Sequence, residues 1–239
     1  MDGTLIHFSI DYIKARKMVI DFFEAHGYPK GIFTLNDLIF EMVRKAELYF
    51  LEQGFDPQIV EKTIADVNKI VISVEEENIP NATIVEGMPE ILDYLSQNHI
   101  RMSICTFNTT PVAIQCLKKV GIITDSESID EIPQIQRINR KAKGWILSEH
   151  VFGRDKAGKK AKPDPFHYQL TLNALGVTGN ETLVIGDHPK DILGAKAIDA
   201  RSIAIIREGY KPEMFETDLY VLQAEIPQKL LKIIKNLLE

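Results

Sequence analysis

The chain has 239 residues, of which 45% are hydrophobic, and a formal net charge of −6 at pH 7. This length suits one large domain or a core domain with a smaller insert, and the negative charge argues against general nucleic-acid binding. No apolar run approaches the roughly 20 residues of a membrane span. The chain carries charge too early for a signal peptide, and its two cysteines indicate no disulfide framework. These features predict a cytoplasmic protein.

Three helical segments follow the first residues. Ser9 is a candidate cap for the first helix, and Thr34 or Asn36 for the second. The pair Asp56-Pro57 predicts the start of the third, because proline suits the first helical turn. Apolar residues recur at helical spacing in all three segments, and no strand pattern separates them. The stretch is therefore predicted to form a compact helical module.

From Val85 onward, strand patterns alternate with helix patterns. Such alternation predicts a parallel sheet that is covered by helices on both faces. The polar, basic stretch Ser126–Lys160 is interpreted as a solvated insertion, with a substrate-binding basic patch as the alternative. Strands are predicted at Arg101–Thr106, Thr182–Gly186, Ser202–Ile206 and 218–222, and helices at 87–98, 110–120, Pro165–Leu175, Pro189–Ile198 and around Leu230–Leu237.

Ligands of parallel sheets bind beyond the carboxyl ends of the strands, and this rule selects Thr106 and Asp187. A hydroxyl at a strand end, beside the free N–H groups of the next helix, suits a phosphate oxygen. Lys162 precedes a proline in an extended segment, where a fixed ammonium group can neutralise a phosphoryl group. Asp187 and Asp191 offer hard oxygen ligands that suit Mg²⁺. Each of these residues also has an ordinary structural explanation, as a strand end, a surface lysine or a helix-start charge.

The motifs in chain order are D-G-T at residues 2–4, a strand ending in Thr106, K-P-D-P from Lys162, and a strand followed by G-D-x-x-x-D with Asp187 and Asp191. This order resembles the four motifs of the haloacid dehalogenase superfamily over almost the whole chain. The helical module lies where that family places its C1 cap, as in phosphoglycolate-phosphatase-like members. The resemblance implies an α/β fold, with a Rossmann-like parallel-sheet core (1–5 and 85–239) and an inserted all-α cap (6–84).

The resemblance also implies the roles of individual residues in a phosphatase that works through an aspartyl-phosphate. Asp2 would be the general acid and base, Thr106 would bind the phosphoryl group, and Lys162 would orient the nucleophile. The backbone carbonyl of Asp2 and the side chain of Asp187 would bind Mg²⁺, and Asp191 would hold Lys162 or a metal-bound water. Phosphate would also contact Gly3, Thr4 and Asn108, although Phe107 separates Asn108 from Thr106, unlike in many relatives.

The family signature is D-x-D-G-T, and Met1 stands at its "x". The first Asp, which is the family's nucleophile, has no counterpart in this sequence. We therefore expect a longer natural product, and we expect the chain as written to bind Mg²⁺ and phosphate weakly and to turn over little substrate. A non-catalytic phospholigand-binding protein and a phosphosugar mutase are the alternatives.

The expected substrate is a small phosphorylated metabolite. Neither a nucleic acid nor a membrane is expected as a partner. The sequence predicts neither the identity of the substrate nor an oligomeric state.

Overall fold

The computed structural model of the chain describes residues 1–124, 144–217 and 219–238. It forms two compact units, one of Met1–Phe8 with Ile79–Glu239 and the other of Ser9–Asn78. More than half of the basic stretch that begins at Ser126 lies outside the described residues. Within the described ranges, no helix is both long and apolar enough to cross a membrane.

The unit Ser9–Asn78 is built from three helices. Helix α1 begins three residues after Ser9, because the Asp11 carboxylate accepts the hydrogen bond from the N–H of Lys14 (2.9 Å) and so caps it. The predicted cap at Ser9 is therefore wrong. The helices are α1 (Tyr12–Ala25), α2 (Ile39–Glu52) and α3 (Pro57–Glu77).

The second and third helices begin in different ways. Leu38 precedes α2, and its apolar side chain makes no capping hydrogen bond. Thr34 does not cap the helix, because its N–H (2.7 Å) and its hydroxyl (2.8 Å) both donate to Asp37. The capping role predicted for Thr34 or Asn36 is thus wrong. Helix α3 begins as predicted, with the Asp56 carboxylate accepting from the N–H of Gln58 at 2.7 Å.

Aromatic rings form the core of this helical unit. Phe23 is fully buried, and its ring centroid lies 6.0–6.3 Å from those of Tyr28, Phe33 and Phe50. Tyr28 and Phe33 stack with their centroids 4.4 Å apart. Edge and stacked contacts of this kind add to the stability gained by burying the rings.

The other unit contains all the strands and the remaining helices. Its strands are β1 (Ile6–His7), β2 (Thr83–Ile84), β3 (Ile104–Cys105), β4 (Ile123–Thr124), β5 (Ile146–Leu147), β6 (Val151–Phe152), β7 (Leu183–Gly186), β8 (Arg201–Ile206) and β9 (Tyr220–Leu222). Its helices are α4 (Met88–Gln97), α5 (Thr110–Lys119), α6 (Arg154–Ala157), α7 (Pro165–Leu175), α8 (Pro189–Ala197) and α9 (Leu231–Leu238), with a short π-helix at Ile226–Leu230.

The strands of this α/β unit pair mostly in parallel. β7, β8 and β9 form a three-stranded parallel sheet, β3 pairs with β6, and β4 pairs with β5. β1 and β2 are antiparallel. Among the described residues these are four separate sheets, whereas the sequence predicts one continuous sheet. The strand predicted at Arg101–Thr106 is reduced to two residues, because only Ile104 and Cys105 pair with β6.

β8 lies at the centre of the core of the α/β unit, and both of its faces are covered. Ile203 and Ile205 pack with residues of α4, β9 and the C-terminal helical segment, such as Val221. Ala204 and Ile206 point to the opposite face, where Ile192 and Phe215 cover them. Since successive side chains of a strand alternate between faces, a strand buried on both faces reads as a continuous apolar run.

We expect Phe23→Ala to destabilise the helical unit by about 3–5 kcal/mol, the usual cost of deleting a buried aromatic side chain. Phe40, 60% exposed on α2, provides the matched control, and Phe40→Ala should change stability by less than about 0.5 kcal/mol. Urea unfolding followed by far-ultraviolet circular dichroism measures both effects. Equal losses for the two variants would contradict the placement of Phe23 at the centre of the core.

Candidate functional site

All the predicted site residues lie in the α/β unit, at strand ends or in the turns beside them. Thr106 and Asn108 follow β3, and Asp187 follows β7. Asp191 lies in the first turn of α8, and Lys162 lies in the loop before α7. Asp2, Gly3 and Thr4 form the turn before β1.

Lys162 and Asp191 form a buried ion pair. The Nζ of Lys162 lies 2.5 Å from Oδ1 of Asp191, and the two side chains are only 7% and 8% exposed. The same ammonium group donates to the carbonyl oxygen of Cys105 at the end of β3 (3.4 Å). One side chain therefore joins the loop before α7, the end of β3 and the start of α8.

Burial alone would favour the neutral forms of both members of this pair. The opposite charge at 2.5 Å outweighs that effect, so the pKa of Lys162 lies above its ordinary value and the pKa of Asp191 lies below its own. The pair is therefore an ammonium and a carboxylate at neutral pH. A fixed positive charge at this position can stabilise negative charge on a phosphoryl group.

The start of α8 fixes the direction of the Asp191 carboxylate. Its Oδ2 accepts from the N–H of His188 (3.2 Å), while Nδ1 of His188 accepts from the N–H of Lys190 (3.1 Å). Burial lowers the pKa of His188, which favours the neutral ring that can accept this bond. Both oxygens of Asp191 are thus engaged by protein groups.

Asp2 is held by Asn108. The Nδ2 of Asn108 donates to both carboxylate oxygens of Asp2, at 2.9 and 3.2 Å. Burial raises the pKa of Asp2, and the nearby carboxylate of Asp187 acts in the same direction. A carboxyl group with a raised pKa is suited to give and take protons near neutral pH. This contact gives Asn108 a partner that the sequence alone does not predict.

Asp187 is contacted on both oxygens. The Thr4 hydroxyl donates to Oδ1 at 3.3 Å, and Nε of Arg207 lies 2.7 Å from Oδ2. A Cβ atom at Gly3 would lie 2.4 Å from Oδ2 of Asp187, and the φ of Gly3 is +70°, so this position requires glycine. The carbonyl oxygen of Gly3 accepts from Nε2 of Gln223 at 2.7 Å.

Thr106 is buried, and its hydroxyl accepts from the N–H of Asn108 at 3.2 Å. Between the two, the ring of Phe107 points outward and is 38% exposed. Its centroid lies 5.1 Å from Nζ of Lys162 and 5.3 Å from Nζ of Lys190, within the range of cation–π contacts. Phe107 thus separates Thr106 from Asn108 in sequence, yet the two are joined by a hydrogen bond, and Asn108 reaches Asp2.

The backbone carbonyl of Asp2 and the carboxylates of Asp187 and Asp191 were predicted to bind Mg²⁺ or the groups around it. Across the part of the chain that the structure describes, no group of three or more His, Cys, Asp or Glu residues is placed to hold a metal ion. Asp191 is engaged by Lys162 and His188. Asp2 is held by the neutral amide of Asn108, and Asp187 is contacted by Thr4 and Arg207. The two carboxyl groups are close enough that the charge of Asp187 raises the pKa of Asp2. Two carboxylates in such proximity fit a hard cation.

Sequence reasoning missed several residues that build the site. The Asp155 carboxylate accepts from both the N–H (2.6 Å) and the hydroxyl (2.9 Å) of Thr110 at the start of α5. Arg154 donates to the carbonyl oxygen of Phe107 at 2.7 Å. Both lie in the basic stretch interpreted as a solvated insertion, and although Asp155 is exposed and Arg154 half-buried, each also holds a segment beside the site. Arg207 directly follows β8, and the strand-end rule that selected Thr106 and Asp187 would have selected it too.

Cys105 does not belong to the reactive groups of the site. Burial raises the pKa of its thiol to about 12. The thiolate, which is the nucleophilic form of cysteine, is therefore not populated at neutral pH.

We expect Asp191→Asn to destabilise the protein by about 3–5 kcal/mol at pH 7, because it leaves Lys162 charged and buried without its partner. The exposed pair Lys196–Glu216, also close at 2.7 Å, is the control, and Glu216→Gln should cost less than about 1 kcal/mol. Because the pKa of Asp191 is lowered, its contribution is present above its ordinary pKa of 3.8 and is lost as the pH falls through its folded-state value. Urea unfolding from pH 7 downward measures this, and a pH-independent difference would contradict the assignment.

Asp2→Asn should make the protein more stable at pH 7. A raised pKa means that ionised Asp2 costs stability at high pH and that this cost is absent below its ordinary value of 3.8. The amide oxygen of the variant still accepts from Asn108. Thermal unfolding between pH 3 and pH 8 is the measurement, with exposed Asp199→Asn as the control. A variant that is less stable than the parent at pH 7 would argue against the raised pKa.

Comparison with known proteins identifies the family. Residues 1–199 match the family model described as haloacid dehalogenase-like hydrolase. The pyrophosphatase PpaX of Halalkalibacterium halodurans is 24% identical over 172 residues, which are 71% of this chain and 67% of that protein. A phosphoglycolate phosphatase of Rhodospirillum rubrum is 24% identical over 151 residues, 63% of this chain and 53% of its own length.

The fold is also found in solved structures. A crystal structure of a hydrolase from Pseudomonas syringae superposes with a TM-score of 0.61, at 18% identity, over 98% of this chain and 95% of that one. Because the family model covers most of the chain, including all four motifs, the protein belongs to the haloacid dehalogenase-like hydrolase family.

Proposed function

We propose that the protein is a Mg²⁺-dependent phosphatase that hydrolyses a small phosphorylated metabolite through an aspartyl-phosphate. The observation that carries the proposal is a pair of contact sets in the α/β unit. Hydrogen bonds join Asn108 to Thr106 and to Asp2, and Lys162, which is paired with Asp191, contacts the carbonyl oxygen of Cys105, the residue before Thr106. These contacts support a site that combines a hydroxyl, an acid–base carboxyl group and a fixed ammonium group. The chain belongs to a hydrolase family, and the relatives that it matches include a pyrophosphatase and a phosphoglycolate phosphatase. Both facts support the hydrolysis of a phosphate ester or anhydride.

Each side chain then has a distinct task. The Thr106 hydroxyl and the ammonium group of Lys162 hold the phosphoryl oxygens and offset their charge. Asp2, with its raised pKa, protonates the leaving oxygen and later takes a proton from the attacking water. Asn108 keeps the carboxyl group of Asp2 in place. The aspartate that attacks phosphorus belongs, by family resemblance, directly before Met1.

The backbone carbonyl oxygen of Asp2 and the carboxylate of Asp187 would hold the magnesium ion, which leaves the Asp2 carboxyl group for proton transfer. When bound, Mg²⁺ neutralises charge that develops on the transferring phosphoryl group. The donor chemistry supports this assignment, since carboxylate oxygens are the ligands that Mg²⁺ prefers.

We further propose that the helical unit Ser9–Asn78 is the C1 cap of the family and selects the substrate. The support is its position in the chain, because it is inserted between the D-G-T turn and the Thr106 motif. The two cysteines, Cys105 and Cys116, form no disulfide in the described part of the chain, which suits a reducing compartment such as the cytoplasm.

The phosphatase proposal is tested with a chain that is extended before Met1 by an apolar strand and an aspartate, so that the D-x-D-G-T signature is complete. We expect this chain to release phosphate from at least one member of a phosphomonoester panel that also contains pyrophosphate and phosphoglycolate. Release should require Mg²⁺ and stop when the cation is chelated. Phosphate binding without turnover of any compound would contradict the proposal and leave a phospholigand-binding protein.

In the extended chain we expect Asp187→Asn and Thr106→Val each to lower kcat/KM by about 10²–10³-fold, the usual cost of removing one group that stabilises the transition state. Asp199→Asn, at an exposed position, is the matched control and should leave kcat/KM unchanged. Phosphate release under single-substrate conditions measures all three. Full activity of Asp187→Asn would exclude that residue from the site.

A further inference from the structure

Arg207 pairs with Asp187, the carboxylate that the proposed function assigns to the cation. Its Nε lies 2.7 Å from Oδ2 of Asp187, whose side chain is only 10% exposed. The Thr4 hydroxyl contacts the other oxygen at 3.3 Å. Both oxygens of Asp187 are therefore engaged by protein groups, and only one of the two contacts carries a positive charge.

The Arg207 contact is a charge contact with poor hydrogen-bond geometry. Although Nε is buried and close to the carboxylate, it has no properly aligned hydrogen-bond partner among the described residues. A group that served to orient Asp187 would be expected to donate an aligned bond, because alignment beyond about 150° gives a hydrogen bond its strength. The geometry thus favours a counter-ion over an orienting donor.

The guanidinium group of Arg207 also contacts an aromatic ring. Its carbon lies 5.3 Å from the ring centroid of Tyr210, and the side chain is 36% exposed. Arginine over a tyrosine ring is a favourable cation–π arrangement. Arg207 makes this contact and the Asp187 contact in the same conformation, so a movement of the partly exposed side chain away from Asp187 need not break both.

We propose that Arg207 is a resident counter-ion of Asp187 that a divalent cation must displace. Without the cation, the guanidinium group offsets the charge of a nearly buried carboxylate. When the cation binds, two positive charges would share one carboxylate and repel each other, so Arg207 moves away and the net affinity for the cation is lowered. This inference rests on the proposed function, because that proposal supplies the cation.

The test is a titration with MgCl2 alone, without substrate, on the full chain labelled with ¹⁵N, followed by the amide shifts of Gly3 and His188. We expect Arg207→Gln to bind Mg²⁺ about tenfold more tightly than the parent, and Arg207→Lys, which keeps the charge, to bind like the parent. Arg201→Gln removes the same charge at the opposite end of β8 and should leave the affinity unchanged. Equal or weaker binding by Arg207→Gln overturns the inference.

The Nε–Hε resonance of Arg207, identified by its loss in Arg207→Gln, reports the displacement directly. We expect it to shift in the parent as Mg²⁺ binds, and a resonance that stays in place overturns the inference. If parent and Arg207→Gln bind Mg²⁺ equally well, only the role of Arg207 fails. If no variant binds Mg²⁺, the inference fails, while Mg²⁺-dependent phosphate release by the extended chain tests the proposed function separately.

Discussion

The buried ion pair between Lys162 and Asp191 is the interaction on which the site depends. Removing two charges from water costs several kcal/mol for each ion, and their attraction repays this only when the remaining hydrogen-bonding groups are satisfied. Here the Cys105 carbonyl oxygen and the His188 N–H satisfy them. These partners lie at the end of β3 and at the start of α8. The pair therefore holds the end of β3 against the start of α8, the helix that follows β7.

Burial and the nearby charges together determine the pKa shifts around this pair. Asp191 and Asp187 each have a close cationic side chain, Lys162 and Arg207, whereas Asp2 is held by the neutral amide of Asn108. Burial is the largest cause of the raised pKa of Asp2, and the Met1 ammonium group and Lys162 lower that pKa without offsetting the effect of burial.

Local signals account for much of what the sequence predicts. Helix α7 was predicted with its observed bounds, because Asp164 caps it, proline begins it and Gly176 ends it in a left-handed conformation. The first helix was misplaced because Asp11 competes with Ser9 as a cap, and both residue types are good caps. Short parallel strands such as β3 depend on partners distant in sequence, which no local pattern reveals.

The same distinction holds for the site. The motif residues were identified because their spacing is a family signature, and the resemblance also implied the pairing of Asp191 with Lys162. Their other partners were not identified. Arg207 and Asp155 act across 20 and 45 residues of sequence. Their side chains belong to types that are usually solvated at the surface, so only the fold shows which distant residue each of them contacts.

The protonated thiol of Cys105 has a consequence for how the protein withstands oxidants. Peroxide and alkylating reagents attack the thiolate, and burial beside the carbonyl group that Lys162 contacts keeps that form scarce. Enzymes that dephosphorylate with a cysteine lose activity when that residue is oxidised. A carboxylate-based site built around an inert thiol would keep working through an oxidative burst.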